Sequence, residues 1–130
     1  MAPNHALVLR AGDELARAAR WAELPEDELR RRATHAANER DAGQLVELTL
    51  AYLRINRSRL ADSTAASYAH AIRLLIAGWS NVNLLRAGAN AGALWVRRLE
   101  GVDPPLSPST IAGRLAGVRA LYRALRWSGA

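Results

Sequence analysis

An all-α bundle is the fold class this sequence predicts, on three observations. Apolar residues recur at helical spacing through nearly all of the 130 residues, and no run alternates like a half-buried strand. Two segments open alike, Leu60-Ala61-Asp62-Ser63-Thr64 and Leu106-Ser107-Pro108-Ser109-Thr110, and each leads into a long amphipathic stretch carrying arginines. Pro25, Asp41 with Gly43, the start at Leu60 to Thr64, the segment from Ser80 to Asn90, and Gly101 with Pro104 and Pro105 divide the pattern into six helical stretches.

The first helix is expected from about Gly12 to Ala22, with Leu15, Ala18, Ala19 and Ala22 on its apolar side. Pro25 opens the second. Its first turn holds Glu26, Asp27 and Glu28, and Arg30, Arg31 and Arg32 follow; acids before bases suit the helix dipole. An arginine run in so acidic a neighbourhood reads as a solvated face. The third helix spans about Gln44 to Asn56, with Leu45, Leu48, Tyr52 and Ile55 as its stripe, and Arg54, Arg57 and Arg59 form a basic tail.

Asp62 or Ser63 is the expected cap of a fourth helix, about Ser63 to Trp79, since a short side-chain oxygen can accept from a first-turn N–H. Plotted at about 100° per residue, Tyr68, Ala71, Ile72, Leu75, Ile76 and Trp79 fall on one side, and Ala66, Ser67, His70, Arg73 and Ala77 on the other. One face goes to the core and the other is left for a partner. Ser80 to Asn90 reads as a loop that tucks in Leu84 and Leu85. Asn90 is the expected cap of a short fifth helix burying Leu94, Trp95 and Leu99. The sixth, about Pro108 to Trp127, has Ser107 as its cap and proline in its first position. It is expected to bury Ile111, Leu115, Val118, Leu121, Tyr122 and Leu125. Gly113, Gly117, Ala120 and Ala124 form a stripe of small residues that lets a helix or a phosphate chain come close.

All 18 basic residues are arginine, against 12 acidic ones, for a net charge of +6. The charge is unevenly spread: residues 1–50 hold seven Arg and nine Asp or Glu, residues 51–130 eleven Arg and three acids. A guanidinium fork matches phosphate and guanine edges, so the later part carries the electrostatic footprint of a DNA-binding surface. Helix starts with free N–H groups add to that preference. The absence of cysteine excludes disulfides and thiolate metal sites, and His5, His35 and His70 are too scattered to hold a metal. No metal or cofactor is therefore expected. Neither a signal-peptide pattern nor an apolar run near the ~20 residues of a membrane span is present, so a cytoplasmic protein with no membrane partner is expected. The three tyrosines, Tyr52, Tyr68 and Tyr122, and the tryptophans at 21, 79, 95 and 127 lie on or beside apolar faces and read as packing residues.

A set of short pieces follows in order from Gln44 to Gly129. They are Leu50-Ala51-Tyr52-Leu53, Thr64 with Tyr68, Trp79, Val96-Arg97-Arg98-Leu99, Leu106 to Ile111, Leu115 to Leu125, and Ser128-Gly129. In order and spacing this stretch resembles the core-binding domain of the tyrosine recombinases, the family of phage integrases and of Xer-type and Cre-type recombinases. The resemblance implies a SAM-like orthogonal bundle of about four to five helices over residues 43–130, preceded by a helical extension, residues 1–42, without counterpart in that module.

The resemblance also implies double-stranded DNA as the partner. In the family the module and a separate catalytic domain clamp the recombination site, and the module's second and fourth helices lie across the major groove. Carried over residue by residue, this places Thr64, Ser67, His70 and Arg73 of one helix, and Ser109, Thr110, Gly113, Arg114 and Gly117 of the other, near DNA. Gly113 and Gly117 stand where family members often carry a long polar side chain, which argues against base-specific readout by that helix. Arg57, Arg59, Arg119, Arg123 and Arg126 are candidate contacts to flanking phosphates or to a neighbouring protomer.

No residue here is expected to be catalytic. The family's chemistry uses a tyrosine nucleophile, two arginines, and further Lys and His or Trp residues, and this chain has no lysine. His70-Ala71-Ile72-Arg73 spells a His-x-x-Arg element but lies in the wrong helix, without its flanking residues. The catalytic domain of a parent recombinase is thus an expected partner outside these residues, and copies are expected to associate only on DNA, in the bacterial nucleoid. Two alternatives stay open. One is a helical protein-interaction module that docks through the small-residue stripe and the acidic N-terminal helices. The other is a stand-alone accessory protein that occupies recombination sites without cutting them.

Overall fold

The computed structural model describes residues 15–57 and 59–130, and every regular element among them is a helix. In chain order these are α1 (residues 15–22), α2 (Glu26–Asn38), α3 (Ala42–Asn56), α4 (Asp62–Gly78), a single 3-10 turn (Leu84–Arg86), α5 (Ala91–Glu100) and α6 (Pro108–Ser128). The expected start at Gly12, and His5, lie outside the described residues.

Local chemistry explains the helix ends. The Pro25 carbonyl accepts from Leu29 N at 2.8 Å to open α2, whose acidic first turn faces the positive end of the dipole. Arg40 closes that helix at φ 55°, a left-handed conformation that disfavours a side chain. Its guanidinium offsets the cost by donating to Val82 O at 2.6 Å and Ile76 O at 2.7 Å, which ties the α2–α3 turn to the end of α4. Asp41 caps α3 through Gln44 N at 3.1 Å. Ser107 caps α6 through Thr110 N at 3.1 Å with Pro108 in the first turn, as its sequence predicts.

Two expected caps are absent. α4 begins one residue early, at Asp62, and Ala61 occupies the cap position without a side-chain bond, so neither Asp62 nor Ser63 caps it. Asn90 makes no side-chain cap for α5, which opens instead through Asn90 O accepting from Leu94 N at 3.0 Å.

α3 is the central helix. Surrounded by α2, α4 and α6, it buries Leu45, Val46, Leu48, Thr49, Leu50, Ala51 and Leu53, more than one stripe of its surface. The Thr49 hydroxyl stays satisfied at this depth by donating to Leu45 O at 2.8 Å. Ile55, expected in the stripe, is 54 % exposed. α1 and α2 add Leu15, Ala18, Trp21, Leu29, Ala33, Ala36 and Ala37 to the same core, whereas Ala19 and Ala22 face solvent.

The most extensive helix contact is between α4 and α6, and small residues make it. Ala65, Ala66, Ala69 and Ala71 of α4 are buried, as are Gly117, Ala120 and Ala124 of α6. A Cβ at Gly117 would stand 2.5 Å from Ala71 Cβ and 3.3 Å from Tyr68 O. Ala66, expected on the outer face, is corrected to the core, and of the glycine-alanine stripe Gly117 meets a helix while Gly113 stays exposed. Ile111, Leu115, Val118 and Tyr122 are only half-buried along its edges, while Leu121 and Leu125 are fully enclosed.

α5 caps the far end of α4. Trp95 lies against Gly78 and meets Trp79 edge-on with ring centroids 6.2 Å apart. Leu99 is buried beside them, but Leu94 is 61 % exposed, contrary to expectation, because α5 packs through one narrow face. Leu84 is tucked in by the 3-10 turn, whose carbonyl at Leu84 accepts from the Tyr122 hydroxyl at 2.9 Å.

Candidate nucleic-acid interface

Packing α4 on α6 through small residues brings two outer faces together on one side of the bundle. On α4, Ser67 and His70 are exposed and Thr64 and Arg73 half-buried; on α6, Ser109 and Gly113 are exposed and Thr110 and Arg114 half-buried. Arg114 and Arg73 act on the same imidazole. Burial first, then the Arg114 and Arg73 guanidinium charges, push the His70 pKa below its ordinary value of 6.5. Three residues marked separately in the sequence, on two helices, thus form one electrostatic cluster.

The hydroxyls around this cluster are engaged locally. Ser67 donates to Ser63 O at 3.0 Å. Ser107 Oγ lies 2.8 Å from Thr110 Oγ1 and 3.2 Å from Ser109 Oγ, which knits both expected contact residues into the α6 cap. Gly113 faces open space, with no atom within 4 Å of a Cβ built on it, so the backbone of α6 is approachable there. Gly117 is not: it is buried against Tyr68 and Ala71, and its small size serves the helix contact.

The remaining arginines separate into two groups. Arg57, Arg59, Arg119, Arg123 and Arg126 are all exposed. Arg57 is the most constrained, its guanidinium carbon 5.8 Å from the Tyr68 ring centroid and its Nη2 donating to the Tyr68 hydroxyl at 3.4 Å. Four arginines of the acidic N-terminal region are ion-paired instead. Glu28 accepts from Arg31 and, at 2.7 Å, from Arg32; Asp27 accepts from Arg30 at 3.1 Å; Glu47 accepts from Arg17 at 3.2 Å. The Arg32 bond holds the Glu28 carboxyl below its usual pKa, against a smaller opposing effect of desolvation. Arg30, Arg31 and Arg32 are therefore the solvated, paired face that their neighbours predict.

One grouping escapes the sequence, and a second shows in it only as a basic tail. Arg17 and Arg20 of α1 face Arg31 and Arg32 of α2 across a cleft of about 650 Å³ floored by Trp21. Arg54 shares a second concavity with Arg57 and Arg59. Spacing along single helices shows the members but not their meeting, which depends on how α1 lies along α3. Among the described residues no group of three His, Cys, Asp or Glu side chains is placed to hold a metal ion, and no helix is long and apolar enough to cross a membrane.

Residues 46–129, from the first turns of α3 to the end of α6, match the protein family described as phage integrase, N-terminal SAM-like domain. The helical architecture fits that description. No curated protein and no solved structure matches the chain.

Proposed function

The chain belongs to the phage integrase family through its N-terminal SAM-like domain, which supports a recombinase-related DNA-binding role, and from that premise we propose that it holds the recombination site across the major groove with α4 and α6. The observation that carries this reading is the convergence of His70, Arg73 and Arg114 on the one outer face the two helices share. Thr64 and Ser67 extend that face along α4, and Ser109, Thr110 and Gly113 along α6. Gly117 is left out, since a phosphate cannot reach it through the seam.

The face suits backbone recognition more than base reading. Guanidinium groups bind phosphate oxygens through paired N–H donors, and such contacts set position without sequence information. The bare α6 backbone at Gly113 admits close approach but offers no long side chain to a base edge. In this reading residues 43–130 form the DNA-binding module and residues 1–42 an extension. A catalytic domain outside these residues cuts and rejoins the strands through a tyrosine, and copies associate once assembled on DNA. Arg119, Arg123 and Arg126 lie on the later half of α6, where flanking phosphates or a neighbouring copy would meet them.

Arg73→Ala tests the assignment. It is expected to weaken binding to all duplex sequences alike and to lower the slope of log affinity against log salt by about 0.9, the share of one phosphate contact. An unchanged slope in a folded variant removes Arg73 from the interface.

A further inference from the structure

We propose that the concavity between the end of α3 and the start of α4 is a second anion site, where Arg54, Arg57 and Arg59 together grip a phosphodiester of the bound duplex. The site rests on the DNA-binding reading and extends it beyond the α4–α6 face.

Arg54 comes from the last turn of α3, Arg57 follows directly after that helix, and Arg59 stands in the connection to α4. All three are exposed, and all three line a single cavity of about 550 Å³. The other described walls are Leu15, Ala16, Leu60 and one acid, Asp62. Leu15 is buried and Leu60 half-buried, so guanidinium groups dominate what the cavity presents.

The other arginine-lined cleft, between α1 and α2, shows what an ion-paired arrangement looks like in this chain, with two carboxylates, Glu28 and Glu47, among its four arginines. There Arg17 is paired with Glu47, and Arg31 and Arg32 with Glu28. In the α3–α4 cavity no carboxylate among the described residues forms an ion pair with Arg54, Arg57 or Arg59. Three cations drawn into one concavity repel each other, and an oxyanion placed among them turns that repulsion into attraction. A phosphodiester matches the guanidinium fork in charge and in geometry.

Position and order favour the same ligand. Arg57 is held against the ring and hydroxyl of Tyr68, one turn beyond Thr64 on α4, so it lies beside the proposed groove-facing residues with part of its freedom already lost. A strand running past the start of α4 would meet the arginine trio next.

The test is an anisotropy titration of a random-sequence duplex over a series of salt concentrations, with three proteins. These are the wild type, the Arg54→Gln/Arg57→Gln/Arg59→Gln triple variant, and an Arg31→Gln/Arg32→Gln control drawn from the ion-paired cleft. The triple variant is expected to lose about 0.9 from the log–log slope, for the one phosphodiester held, and the control to keep the wild-type slope. A triple variant with the wild-type slope overturns the site and leaves the DNA reading standing, as does a control that loses as much. A wild type whose affinity for the duplex is absent or indifferent to salt overturns both. Should the triple variant lose its helical circular dichroism, the single Arg54→Gln variant decides, with a smaller loss expected in the same direction and the same contrary result.

Discussion

His70 sits between two arginines on a surface proposed to meet phosphate, and this couples DNA binding to pH. In the free protein, burial, Arg114 and Arg73 hold its pKa below 6.5, so the imidazole is neutral at neutral pH. A folded-state pKa below the unfolded one gives a stability contribution that is present in full above about 6.5 and fades as pH falls through the folded value. Binding works in the opposite direction. Phosphate oxygens set against the two guanidinium groups cancel their repulsion of the imidazolium and raise the pKa of His70, so the complex takes up a proton. Duplex affinity at fixed salt is then expected to rise as pH is lowered from about 7.5 to 6, with a slope no steeper than one proton per pH unit. His70→Gln should flatten that dependence while leaving the affinity at the upper pH nearly unchanged. A pH-independent wild type would place His70 away from the DNA.

The α4–α6 seam and the open face beyond it make opposite demands on two glycines of one helix. Alanine at Gly113 meets nothing and gains helix propensity, an expected stabilisation of about 0.5–1 kcal/mol. Alanine at Gly117 forces its Cβ onto Ala71 and against the α4 backbone at Tyr68, and overpacking of this kind typically costs about 1–3 kcal/mol. Thermal melts of the two variants should therefore move in opposite directions. Equal shifts of the same sign would mean that α4 and α6 do not cross at Gly117.

These two glycines also mark how far the sequence could be read. Helix starts governed by chemistry within one turn were legible, as Ser107 with Pro108 shows, and so was the acid-then-arginine run of α2. Burial was legible only where a helix has one packed face. α3 is enclosed by three neighbours, so its single-stripe reading misses Val46, Thr49, Leu50 and Ala51 and wrongly buries Ile55. The α4 wheel put Ala66 outside, whereas the buried face of α4 is wider than one stripe and takes in Ala65, Ala66 and Ala69 as well. Ser67, His70 and Arg73 lay off the core face on both the helical plot and the resemblance, and the structure sets the latter two around Arg114. The Arg54, Arg57 and Arg59 trio was legible as a basic tail, but not the cavity, whose walls include Leu15 and Ala16 of α1.

At the scale of the whole molecule, charge is sorted by partner. The N-terminal helices pair four arginines with Glu28, Asp27 and Glu47, while burying Trp21, Leu29 and three alanines of α2 in the common core. Residues 51–130 hold eleven arginines against three acids. The positive excess thus lies on the part of the chain from the end of α3 onward, whereas the carboxylates that pair with arginines lie on α2 and α3. Such a distribution attracts phosphate without reference to sequence. The measurement that tests this most directly is the affinity of the wild-type protein for a random duplex at two salt concentrations, about 50 and 200 mM. If α4 and α6 lie on the DNA backbone, affinity falls steeply between them, by an amount set by a log–log slope near −0.9 for every phosphate held. Binding that is absent at the lower concentration, or equal at both, contradicts the account.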